Sequence, residues 1–98
     1  MSKRKKRLER LRQNPKNVSL DDLQIVLEDY GFEFKQTVGS HHTFSVEIGG
    51  KLRLLVIPFR RPVKPIYVKK ALKLIDQIII QNRVAESEDE PDTDDSTN

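Results

Sequence analysis

Apolar side chains in this chain recur at helical spacing, then at strand spacing, then at helical spacing again. Leu20, Leu23, Leu27 and Tyr30 share one helical face, which predicts a helix from Leu20 to Tyr30. Ser19 sits where an N-cap is wanted, and Asp22 three residues on completes a capping-box pattern. Asp21 suits the positive end of the helix dipole, so the cap accounts for both acids without a metal. Gly31 stands where a left-handed C-terminal cap belongs. The period then changes to two. Phe32 and Phe34 alternate with Glu33 and Lys35 in a short strand, and Gly39-Ser40 make a turn. Phe44, Val46 and Ile48 alternate with Thr43, Ser45 and Glu47 in a half-buried strand, and Gly49-Gly50 mark a tight hairpin. Leu52 to Ile57 is apolar enough to predict a central strand, ended by Pro58. Pro62 and Pro65 stiffen the next loop, and Pro65 suits the first turn of a helix. Val68, Leu72, Ile75 and Ile79 are the inner stripe of that helix, expected to run to about Asn82.

The order is α-β-β-β-α. The expected class is α+β, with a three-stranded antiparallel sheet and two helices on one face. Residues 18–84 form the domain, 1–17 a basic arm and 85–98 an acidic tail. A short helix through Leu8 and Leu11 fits the arm, with Pro15 limiting it. The tail has no apolar residue after Ala85 and is expected to be disordered. A core of this size leaves a domain marginally stable alone. The 98 residues contain no cysteine, which excludes disulfides and thiolate metal sites. No apolar run is long enough for a membrane span, and no apolar segment follows the basic start as in a secretion signal. The expectation is a soluble cytoplasmic protein without a membrane partner.

Charge narrows the picture. Residues 1–83 carry all eighteen Lys and Arg against eight Asp and Glu, a net of +10, and the segment from Glu86 onward carries −7. A small domain so basic attracts polyanions, with RNA or DNA the usual recipient.

Both histidines of the chain are adjacent, in Val38-Gly39-Ser40-His41-His42-Thr43-Phe44. Strand parity separates them: His42 shares the face of Phe44, Val46 and Ile48, whereas His41 lies on the opposite, open face. A histidine pair in a turn has a plain structural reading. A metal site lacks converging ligands, for there is no Cys and no third His. A triad with Ser40 lacks an oriented acid, and a Gly-Ser turn explains that serine more simply. What remains is an exposed imidazole in a basic field. On RNA, a neutral imidazole can take the proton of a 2′-hydroxyl while Lys and Arg stabilise the charge that develops.

These residues resemble the HicA toxins, small ribonucleases of bacterial toxin–antitoxin pairs. The resemblance covers Lys16 to about Gln81. It rests on the first helix with Leu-x-x-x-Leu-Glu from Leu23 to Glu28, on Gly31-Phe32, and on Gly-Ser-His-His-x-Phe from Gly39 to Phe44. The apolar third strand ending in Pro58 and the basic loop into an amphipathic last helix continue it. It implies a fold like a double-stranded-RNA-binding domain, mRNA cleavage without a cofactor, and a HicB antitoxin that covers the active site in a hetero-oligomer. It also implies that His41 is the catalytic residue and that Gly39 shapes its turn; Ser40 and His42 are read as supporting that site. Many members carry a second histidine after the proline of the third strand, where this chain has Phe59, Arg60 and Arg61. Any role of that imidazole is absent here or falls to an arginine.

Arg60, Arg61 and Lys64, with Lys69, Lys70 and Lys73 on the last helix, are the candidate RNA contacts. The three helix lysines are equally readable as a solvated face, or as the lysine cluster that double-stranded-RNA-binding domains set against phosphates. Two other functions suit the same residues. One is a non-catalytic RNA-binding module; the other is an interaction protein whose basic surface docks an acidic partner.

Overall fold

A computed structural model describes residues 2–89, and residues 90–98 of the acidic tail lie outside it. The elements are α1 (Lys3–Gln13), α2 (Leu20–Asp29), β1 (Glu33–Val38), β2 (His41–Ile48), β3 (Lys51–Pro58) and α3 (Pro65–Asp89). The fold is α+β with one antiparallel sheet in the order β1-β2-β3 and three helices.

Local signals set the boundaries. The Ser19 hydroxyl accepts from the Asp22 backbone N–H at 3.1 Å, capping α2. Gly31, at φ +94°, closes its other end, where the Phe32 N–H donates to the Leu27 carbonyl at 3.0 Å. Gly49 and Gly50 both have positive φ, as a two-residue hairpin turn between β2 and β3 requires. Phe32 is buried and lies just before β1, which runs from Glu33 to Val38 and is therefore longer than the alternation of phenylalanines predicts.

β3 is an edge strand, not the central one its composition predicts. Two tight turns, Gly39-Ser40 and Gly49-Gly50, flank β2, so both of its neighbours along the chain pair with it directly. Topology overrides hydrophobic content here. The side chains of Leu55 and Ile57 face the helices and are buried, whereas Leu52, Leu54 and Val56 point to the open side.

The core joins Leu23 and Leu27 of α2, Phe44 and Val46 of β2, and Val68, Ala71 and Ile75 of α3. The inner stripe of α3 is centred on Val68, Ala71, Ile75 and Ile78, while Leu72 and Ile79 are only partly buried. α3 also runs on to Asp89 rather than ending near Asn82. The apolar stripe fades there, but Glu, Ser and Ala are compatible with a helix, and the next proline is Pro91.

The basic arm is integral to the fold. α1 buries Leu8 and Leu11 in the common core, each contributing roughly 1.5–3 kcal/mol. Its arginines clasp both other helices. Arg7 makes two bonds to the Asp29 carboxylate, at 2.8 and 2.7 Å, and Arg12 two to Asp76, at 3.3 and 2.6 Å. The hydrogen bond to Asp76 raises the pKa of Arg12 further above its usual value. The Arg4 guanidinium donates to the Asp29 carbonyl at 3.2 Å, where the C-terminus of α2 favours a cation.

Candidate functional site at the histidine end of the sheet

The Gly39-Ser40 turn closes a hairpin in which Val38 pairs with His41. Gly39 takes φ +61°, which suits the first central position of a two-residue turn and disfavours any residue with a Cβ. His41 opens β2 and lies opposite both Val38 and Pro58, exposed on the face away from the helices. His42 is half-buried on the inner face, paired with Thr37 and Ile57. The two imidazoles are thus separated by strand parity.

His42 belongs to a row of rings. Its centroid lies 6.0 Å from Phe34 and 6.2 Å from Phe59, both tilted to it. Its Nδ1 is 3.4 Å from the Ser40 carbonyl oxygen, a long contact that a protonated Nδ1 would make as a donor. The Arg61 guanidinium lies over the Phe59 ring at 5.5 Å and extends the row. Phe59 fixes the whole end: its backbone N–H donates to the Ser40 carbonyl at 2.6 Å, tying the loop after β3 to the β1–β2 turn.

The Phe59–Ser40 bond thus brings the loop that carries exposed Arg60 and Arg61 to the Gly39-Ser40 turn, and Arg61, over Phe59, lies on the His42 side of the strand, opposite His41. Lys64 is exposed immediately before α3. Lys69, Lys70 and Lys73 are exposed on the first turns of α3, with the Lys70 ammonium 5.5 Å from the Tyr67 ring. The structure shows no contact between these lysines and the described residues of the histidine turn. Phe34 and Phe59 are members of the site that residue-type reasoning passes over. The Pro-Phe-Arg-Arg-Pro run held the signal, because a phenylalanine between a strand-ending proline and two arginines has little reason to be buried.

A hollow of about 590 Å3 opens beside Phe59, lined by Asn17, Ser19, Asp22, Arg61 and Pro62 among others. A second, of about 270 Å3, lies between α1 and α2 against Arg7, Arg10 and Ile25, away from the histidines. Among the described residues, no three His, Asp or Glu side chains are grouped to hold a metal ion. Nor, among them, is any helix long and apolar enough to cross a membrane. The chain matches no protein-family model, no curated protein and no solved structure.

Proposed function

We propose that the chain is an endoribonuclease toxin of the HicA kind, cleaving mRNA in the cytoplasm and neutralised by a HicB-like antitoxin. The observation that carries the reading is an exposed His41 at the open end of a strand, next to a turn that the Ser40–Phe59 bond ties to the loop bearing Arg60 and Arg61. Neutral His41 takes the 2′-hydroxyl proton, and the 2′-oxygen attacks the adjacent phosphorus. The bond to the 5′-oxygen breaks, leaving a 2′,3′-cyclic phosphate; the 5′-oxygen takes a proton from water, and the hydroxide so formed removes the proton held by His41. The arginines stabilise the extra negative charge of the transition state. This chemistry needs no metal. The α-β-β-β-α core within the chain is also the order of a double-stranded-RNA-binding domain, which supports RNA as the polyanion.

The test is cleavage of RNA in EDTA by the full chain and by His41→Ala. The expected outcome is loss of cleavage by at least about a hundredfold with RNA affinity retained. Equal cleavage by both proteins would remove His41 from the mechanism. A second reading, a non-catalytic RNA-binding module, is favoured by Phe59 and Arg61, which suit stacking and phosphate contact without chemistry. Binding without cleavage by the unmodified chain would establish it.

A further inference from the structure

We infer that the free edge of β3 is a two-fold contact surface between copies of this chain. This inference is independent of the ribonuclease reading. The two edges of the sheet differ. β1 is blunted: it has six residues, its register shifts between Phe34 and Gln36, and Lys35 occupies the irregularity. β3 has eight residues in unbroken register with β2, and no proline before Pro58. On its open face Leu52, Leu54 and Val56 are 64%, 61% and 42% exposed. Its charges, Lys51 and Arg53, share the parity of buried Leu55 and Ile57 and so project to the other face. Nothing on the strand protects the apolar row.

Hydrogen-bond parity says what the edge can hold. The Phe59 N–H bonds to Ser40, and antiparallel bonding pairs alternate, so the odd residues of β3 point their N–H and C=O groups at β2. Leu52, Leu54 and Val56 point theirs outward. The residues that carry the exposed apolar side chains therefore also carry the unpaired backbone groups. An antiparallel copy of β3 satisfies them in one register, with Leu54 opposite Leu54 and Leu52 opposite Val56. Each of those positions exchanges a pair of main-chain bonds, and apolar side chains meet on the open face. Moving the symmetry centre to position 53 sets Arg53 directly against Arg53. Moving it to position 55 sets Leu52 against Pro58, which has no N–H to give.

The occupant follows from what the chain lacks and what the edge repeats. Residues 90–98, Glu-Pro-Asp-Thr-Asp-Asp-Ser-Thr-Asn, contain no large apolar side chain that could cover the row. The row Leu-x-Leu-x-Val is close to its own mirror image about Leu54, as an isologous contact demands. Two copies each carrying +10 over residues 1–83 repel one another, so salt should strengthen this contact. Salt should weaken RNA binding, which makes the two associations separable.

The experiment uses the full chain, whose lack of cysteine allows site-directed cross-linking. Under mild oxidation Leu54→Cys should form disulfide-linked dimers. Leu52→Cys alone should not, but should cross-link when mixed with Val56→Cys. Sedimentation should show the mass doubling as concentration and salt rise. Leu54→Lys should raise the dimer dissociation constant about ten- to a hundredfold, with an unaltered unfolding curve at concentrations where both proteins are monomeric. A chain that stays monomeric at every concentration overturns the inference, as does equal cross-linking at positions 52 and 54. So does a β3 edge protected from hydrogen exchange only when a different protein is added.

Discussion

His41 and His42 share a peptide bond and almost nothing else. Their positions on opposite faces of β2 give them opposite costs of removal. His41 is exposed with no ring contact, so His41→Ala should change stability by less than about 0.5 kcal/mol. His42 lies between Phe34 and Phe59, and His42→Ala should cost about 1–2 kcal/mol through loss of both contacts. Urea unfolding of the two variants measures the difference, and equal losses would contradict the placement. Parity made this division legible in the sequence, because alternation around Phe44, Val46 and Ile48 fixes the faces without any fold. The ring row was not legible. It depends on Phe34, Phe59 and His42 coming from three separate segments, and only the register of the finished sheet brings them together.

Among the elements, capped and turn-bounded ones were readable, since their signals are local. Ser19 and Gly31 bound α2, and Gly49-Gly50 fixed the second hairpin. β3 misled, because apolar content reports burial only when a strand has neighbours on both sides. α1 was obscured for a related reason. Two leucines in a strongly basic run look like a solvated leader until Asp29 and Asp76 supply partners from distant parts of the chain. The consequence is measurable. Leu11→Ala should lower stability by about 2–5 kcal/mol, as for any buried leucine, whereas a solvated arm would tolerate it. Arg12→Ala, which breaks a half-buried bidentate ion pair still open to solvent, should cost about 1 kcal/mol, less than the leucine.

The whole molecule is elongated, 46 by 28 by 17 Å, and α3 accounts for much of its length. The Gln81 side chain lies 3.5 Å from where a Cβ on Gly49 would stand, so α3 has reached the far hairpin by that point. Its remaining backbone carries the start of the acidic segment beyond the sheet. Glu86 lies about 32 Å along the helix from Pro65. Replacing Lys69, Lys70 and Lys73 by Gln should reduce the dependence of log affinity on log salt by about 2, if all three reach phosphates. An unchanged slope in a filter-binding titration would mark them as a solvated face.

The clasp between Arg12 and Asp76 spans 64 residues of chain. During synthesis at about 5–20 residues per second, α1 is complete roughly 3–13 s before Asp76 exists. Until then Leu8 and Leu11 have only part of their final packing, although the helix is among the earliest segments made. The two β-hairpins need no such wait, since each pairs residues joined by a two-residue turn. Order of manufacture and order of assembly therefore differ for α1, which is made before Asp76 and secured only after it.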